Sequence, residues 1–444
     1  MTITSEFARY IIGTTTADIP ANVTQEAIRS LLNWMGCAVG GSRHPAVERS
    51  LAAVLPFSAG PDCSLIGRHE RVDALHASLL NGISAHVLDF DDTHLRTLLH
   101  PSGPVASVLL ALAERQRTSG REFVLAFVLG VEIECRIANA IWPGHNTDWY
   151  ITGTTGVFGA AAAASKVLRL DEKQFMHALG LASAQAAGIR EMAGTMAKSF
   201  VHGRAGQNGL LAALLAQQGF TASDSSLEGR HGFAQVFASR HDVETVTEGL
   251  GSTYEILQNT YKPFACGVVV HPVIDACIRL RNAHHPDGSD IEKITLFVHP
   301  RTLELAGNQS PQSGLKSKWS VYHSAAVSIL DGAAGEHQYS DERVDDPVVR
   351  SLRERTAAIP DTHIKDTEAK VSVKLKDGRV IDEHVVHVMG STENPMSDQA
   401  LAEKVQALSQ GILPSHQVAE LISTCWGIMD LEDTSRLVRL STQT

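Results

Sequence analysis

Six side chains with acid, base or ligand chemistry crowd one short stretch: His86, Asp89, Asp91, Asp92, His94 and His100 fall within fifteen residues. They follow the apolar run HASLLNGISAHVL, so the chain carries them off the end of a buried helix toward a pocket wall. Imidazoles that titrate near neutrality, set beside carboxylates, are suited to moving protons. Two other uses of the same residues are open. Asp92, Thr93 and Ser102 have the chemistry of helix caps. Asp89 and Asp92, at i and i+3, would share a helix face and suit magnesium. No second acidic motif accompanies them, which weighs against a helical magnesium enzyme acting on diphosphates.

Positive charge appears in similarly apolar surroundings. Arg190, Lys198, His202 and Arg204 stand in IREMAGTMAKSFVHGRAGQNG, and Lys262 stands in YKPFACGVVVHP. Burying an ammonium group is costly unless an anion or a partner meets it. A pocket for a small polycarboxylate would supply that anion, whereas a non-catalytic scaffold would leave these lysines and histidines without purpose. Cys266 lies close to Lys262 and shares its context; the six cysteines are otherwise scattered with no C-x-x-C, so neither a zinc knuckle nor a disulfide framework is expected.

The elements that must position these groups read mainly as helices. Apolar residues at helical spacing run from Thr24 to Val39, with Pro20 before and Gly40-Gly41 after. The same pattern predicts helices at 72–88, 105–115, 122–141, 157–168, 172–187 and 206–217. Gly153, Gly156 and Gly159 mark close helix packing; a phosphate cradle would need a preceding strand, and none is predicted. After His285 the pattern changes: Ile294, Leu296 and Val298 alternate with Thr295 and Phe297, and Lys370 to Val388 predicts a hairpin about Asp377-Gly378. Ser320 to Ile329 reads as a helix between them. The expectation is a mainly α protein: a helical domain over 1–285 joined by C-terminal helices at 397–444, with a smaller α+β lid domain over 286–396.

Bulk properties narrow the function further. Apolar residues are 43% of the 444 and charged residues 20%, an ordinary globular composition. The net charge is −11 and the basic residues are dispersed, so neither nucleic acid nor a membrane surface is an expected partner. No run of 18 apolar residues and no leader-like N-terminus is present, and a cytoplasmic location is expected.

The segments IPANVTQEAIRSLLNWMGCAVGG, NGISAHVLDFDDTHLRTLLHPSGPV, TGTTGVFGAAAAASKVLRL, KSFVHGRAGQNG, YKPFACGVVVHPVIDA and WSVYHSAAV resemble the MmgE/PrpD family over residues 5 to 430. That resemblance implies a large helical domain with an α+β lid, a homodimer, and a site between domains that uses neither metal nor organic cofactor. It places pocket residues at Asp89, Thr93, His100, Lys198, Lys262 and Tyr322. Three departures stand out. Tyr150 occupies the position where the family's decarboxylases and dehydratases carry a histidine. Gly267 replaces a second histidine of the decarboxylases, and one extra residue separates Thr93 from His100.

Family reactions share the removal of a weakly acidic proton beside a carboxylate, which cations and hydrogen bonds in a dry pocket must stabilise. Eliminating water needs an acid for the departing hydroxyl as well as a base. Epimerisation needs only one group on each face of the carbon. A phenol beside lysines, its pKa lowered from about 10, would serve one face. The expectation is therefore an isomerase resembling iminodisuccinate epimerase, with Tyr150 opposed to Lys198 or His100, and with Asp89 also catalytic. Thr93, Arg190, His202, Lys262 and Tyr322 would bind the substrate. Dehydration of the 2-methylcitrate type ranks second and decarboxylation of cis-aconitate third.

Overall fold

The computed structural model describes residues 2–142, 144–145 and 148–443. The helices that matter here are α1 (Ala21–Gly41), α2 (Ala74–His86), α3 (Ser102–Arg115), α4 (Gly120–Ile141), α5 (Ile151–Val167), α6 (Met196–Gln217), α7 (His271–His284), α8 (Val321–Asp331) and α9 (Asp398–Ser409). Strands β1 (Ile291–Val298), β2 (Thr356–Pro360), β3 (Ala369–Leu375) and β4 (Val380–Val385) form one sheet in the order β2-β1-β3-β4. The protein is mainly α. Before residue 262 the described residues contain only two-residue strands, among them Thr93–His94 paired with Asn259–Thr260.

Most helices bury nearly their whole circumference, which small residues allow. Gly82 on α2 faces Gly203 on α6 so closely that a Cβ at either would meet backbone: at Gly82 it would lie 2.6 Å from the Gly203 Cα, and at Gly203 2.1 Å from the Leu79 carbonyl. Gly153 and Gly159 on α5 pack in the same way, against the Ala187 carbonyl and the Glu134 side chain. The helix α6 begins ten residues before the expected start at 206. Its first turns carry Lys198 and His202 turned inward, so the polar residues that hid the helical pattern face the interior.

In the sheet, Ala369, Val371, Val373 and Leu375 alternate inward. β1 carries an irregularity between Ile291 and Lys293 that brings Ile291 and Ile294, three apart, to the same buried side. The hairpin turns at Asp377-Gly378 with Lys374 opposite Val380, and Gly378 takes φ +90°. β2, which the sequence reading did not include, pairs parallel to β1, with Ile294 opposite Thr356.

Helices α7 and α8 cover this sheet, and Val273, Ile274, Cys277 and Leu280 of α7 belong to its core. Helix α9 returns to the first core: Val405 fills the space beside Gly36 of α1.

The Gly82·Gly203 crossing yields a test. Gly203→Ala should push α2 and α6 apart and destabilise the protein by about 1–3 kcal/mol. Chemical denaturation measures it, and an unchanged midpoint would show that the helices tolerate the methyl group.

Candidate functional site

Three local features bring the polar cluster together. Helix α2 is capped at its start by the Asp73 side chain, which accepts from the Leu75 and His76 amides, and it ends at His86. Beyond it Asp89 adopts φ +52°, a left-handed conformation uncommon for a residue other than glycine. The short ladder that sets Thr93 opposite Thr260 then lays the segment containing Lys262 beside Asp89.

Asp89 is the centre. Lys198 Nζ donates to its carboxylate at 2.9 Å, and Lys262 Nζ donates both to the carboxylate and, at 3.0 Å, to the Asp89 carbonyl. All three are buried. Burial alone would raise the Asp89 pKa, but Lys198 and Lys262 overcome it and hold the carboxyl well below its usual range. One carboxylate cannot satisfy two ammonium groups equally. Burial lowers the pKa of Lys198, whereas at Lys262 the attraction of Asp89 and Asp91 prevails over burial and raises it. Counted alone the trio carries a net positive charge, and buried Asp91 attracts both lysines from beside it.

Two further lysines hold the same loop from outside. Lys318 Nζ donates to the Leu88 and Ala265 carbonyls, and Lys404 Nζ donates to the Phe90 and Lys262 carbonyls at 2.7 and 2.9 Å. The consecutive carbonyls of Leu88, Asp89 and Phe90 therefore each accept from a different lysine. Lys318 pairs with Glu336, but Lys404 has only neutral acceptors, and burial lowers its pKa to about 8. Sequence reasoning missed both. Neither has a local signal, because Lys318 reaches the Leu88 carbonyl over 230 positions of chain and Lys404 the Phe90 carbonyl over 314.

Beside this cage stand three imidazoles. His86 and His202 stack with centroids 3.3 Å apart at 14°, a contact made possible by the adjoining glycine crossing, and His100 lies 4.9 Å from His86. His86 Nδ1 donates to Asp91 at 2.8 Å, and His100 Nδ1 donates to the Asp92 carbonyl at 2.8 Å. Asp91 also lies 3.7 Å from His100 Nδ1. With Nδ1 protonated, Nε2 of both rings bears the lone pair. Burial lowers the pKa of all three imidazoles well below the ordinary value, helped by Lys198 at His86, by Lys262 at His100 and by His86 at His202, so they stand neutral. His86, read from the sequence as part of the acid/base cluster but not assigned an individual role, belongs to it as closely as His100 does.

His86, Asp91, His100 and His202 each offer a donor atom within 4.8 Å of the others. A metal shared by His86 and His202 would lie well out of the plane of at least one of the stacked rings, a poor geometry for an in-plane lone pair. Magnesium on a shared Asp89–Asp92 helix face is also ruled out. Asp89 lies beyond α2, and Asp92 accepts from Ser102 and Asn259. Those bonds also show that Asp92 and Ser102 bind each other instead of capping helices.

The remaining predicted residues divide. Thr93 is buried with its hydroxyl 3.3 Å from His100 Nδ1. The Tyr150 ring borders His202 at 5.4 Å and Lys198 at 5.7 Å. Its acidity differs from expectation: burial first, then the charges of Asp89 and Asp91, push the phenol well above 10, outweighing the Thr152 hydroxyl that favours ionisation. The phenol is a neutral donor, not a ready base. Arg190 is half-buried on a short turn, its amide donating to the Asp148 carbonyl. Tyr322 lies in the core beneath the sheet, bonded to Gln309. Among the described residues Tyr322 makes no bond to Asp89. Cys266 is buried and its thiol is pushed up to about 12, which leaves it inert.

A chamber of about 20 Å³, lined by His86, Asp89, Lys198, Lys318 and Trp319 among others, adjoins the cage. A separate cleft of about 320 Å³ borders Lys262, His271, Arg96 and Arg301.

Family models match along the chain: the MmgE/PrpD N-terminal domain over residues 5–246 and the C-terminal domain over 264–428. The chain belongs to the MmgE/PrpD family. It is 28% identical to cis-aconitate decarboxylase of Aspergillus terreus, over 99% of this chain and 95% of that protein. It is 27% identical to cis-aconitate decarboxylase of Homo sapiens, over 99% and 94%. To 2-methylcitrate dehydratase of Salmonella typhimurium it is 23% identical, over 80% and 79%. These relatives are a decarboxylase and a dehydratase, and they lend no support to the epimerase subtype. No helix among the described residues is long and apolar enough to cross a membrane.

The cage predicts unequal roles for its lysines. Lys262→Met removes the cation with two bonds to Asp89 and Lys198→Met the cation with one. Each leaves Asp89 paired with the other lysine, so Lys262→Met should cost more by the extra hydrogen bond, about 0.5–1.5 kcal/mol. Equal denaturation midpoints for the two variants would contradict this ordering.

Proposed function

We propose that this family member removes the proton beside a carboxylate of a small polycarboxylic acid and expels a group from the neighbouring carbon, a lyase reaction that needs no metal or organic cofactor. The observation that carries the reading is the buried excess of ammonium over carboxylate at Lys198, Asp89 and Lys262. Such an excess attracts an anion and stabilises the negative charge that grows as the proton leaves. The relatives' names, built on cis-aconitate and 2-methylcitrate, support the substrate class.

In this mechanism a substrate carboxylate pairs with Lys198 and Lys262. Nε2 of His100, the most exposed of the three imidazoles at 6%, takes the proton, with His86 as its neighbour in the same tautomer. Asp91, within reach of both rings, compensates the imidazolium that forms. Lys198, whose ammonium is made more acidic by burial, protonates the departing hydroxyl. Thr93 orients His100. Dehydration is placed before decarboxylation because Gly267 supplies no side chain where the decarboxylases carry a histidine. The resemblance extends the reading to a homodimer.

Epimerisation keeps one observation in its favour. A buried neutral phenol at Tyr150, close to Lys198, can return a proton to the opposite face of a carbanion. Tyr150→Phe would then abolish interconversion while sparing the fold.

Proton NMR in deuterated water with a panel of polycarboxylates separates the reactions. An alkene with loss of water is the expected result. Deuterium uptake without loss of water or carbon dioxide would establish epimerisation and overturn the lyase reading. Because the imidazoles' pKa values are depressed, the base remains in its working form as pH falls through 6.5, and the acid limb of kcat/KM should lie below that value. Activity should survive EDTA; loss restored by zinc or magnesium would refute the metal-free mechanism.

A further inference from the structure

The chamber beside Asp89 and Lys198 holds little more than one water molecule at about 20 Å³, whereas ligand sites span roughly 300–1,000 Å³. A polycarboxylate can meet Lys198 only if part of the wall moves. Most of that wall is fixed. Asp89 and Lys198 are tied to each other, Lys318 is tied to two carbonyls and Glu336, and His86 is held by Asp91.

Trp319 is different. It lines the chamber and is half-buried, with its ring centred 4.9 Å from Lys198 Nζ. The edge of the same ring would stand 3.0–3.3 Å from a Cβ at Gly267, so the indole fills the space that a side chain there would occupy. Gly267 has φ −60°, an ordinary value, so close approach of the ring, not backbone strain, is what glycine accommodates.

From this geometry we infer that Trp319 is the plug of the site: its indole covers Lys198, swings aside to admit substrate, and limits the size of acid that fits. The inference deepens the proposed polycarboxylate reading and rests on it for the identity of the ligand. The indole also excludes water from the Asp89 cage while closed, and its face is compatible with the Lys198 ammonium.

Two measurements test it. In the first, wild type, Trp319→Phe, Trp319→Ala and Gly267→Ala are pulsed with acetic anhydride, and acetylation of Lys198 is followed by peptide mass spectrometry. Trp319→Ala removes the cover and should label several-fold faster than wild type, with Trp319→Phe between; Gly267→Ala moves the ring by a few tenths of an ångström and should give a smaller increase in the same direction. Gly267→Ala retains the indole and keeps the test valid should Trp319→Ala fold poorly. Unchanged labelling in both would overturn the plug and point to entry through the cleft beside Lys262.

The second measurement compares kcat/KM for six-carbon and four-carbon acids. Trp319→Ala should shift that ratio toward the larger acid by about tenfold or more. An unchanged ratio in an active variant would overturn the size-limiting role. If wild type turns over no acid of either size, the polycarboxylate reading fails, and the labelling comparison still decides whether Trp319 covers Lys198.

Discussion

Two buried ammonium groups share the single carboxylate of Asp89, and the rest of the structure can be understood as what keeps that unequal arrangement in place. Burying an ion pair is expensive even when the charges balance. Here they do not, and the loop bearing Asp89 also sits in a left-handed conformation. The compensation is distributed. Carbonyls of Leu88, Asp89 and Phe90 point at three different lysines, so the loop's backbone dipoles face cations from several directions. Lys318 comes from the segment just before α8 and Lys404 from α9, which makes both ends of the fold participants in the position of one aspartate.

The imidazole cluster depends on a different constraint, the closeness of two helix axes. Gly82 and Gly203 let α2 and α6 touch backbone to backbone; His202 stands next to Gly203 and His86 one turn after Gly82, and the two rings stack. A stack so close is compatible with neutral rings and not with two imidazolium ions. Burial and the neighbouring lysines enforce that neutrality. The cage and the stack thus reinforce each other: the lysines that attract an anion also keep the histidines in the basic form.

Much of this was legible in the sequence, for definable reasons. The helices from 24 to 141 show clear periodicity, and the Asp377-Gly378 hairpin has a local turn signal. Asp89, His100, Lys198 and Lys262 stood out because polar residues in apolar context are conspicuous. What stayed hidden depends on distance. Lys318 and Lys404 look like ordinary surface lysines until tertiary structure brings carbonyls to them. The early start of α6 was masked because its polar side chains turn inward, and β2 is too short and too exposed to show alternation. The acidity of Tyr150 was misjudged for a related reason: the sequence shows nearby lysines but not that burial and the charges of Asp89 and Asp91 decide it.

The partial neutralisation by Asp89 also bears on catalysis. Two bare ammonium groups would bind a polycarboxylate tightly in its ground state, and tight ground-state binding does not accelerate the chemical step. With Asp89 between them, each lysine is already partly satisfied when substrate arrives. Removal of the proton then moves additional negative charge toward the cage, where the low-dielectric surroundings strengthen its interaction with Lys198 and Lys262. The same carboxylate that stabilises the resting fold therefore tempers substrate binding and leaves the greater part of the cationic field for the carbanion. On this reading Asp89 is catalytic without moving a proton, and its strongly depressed pKa, which keeps it charged throughout, is what that role requires.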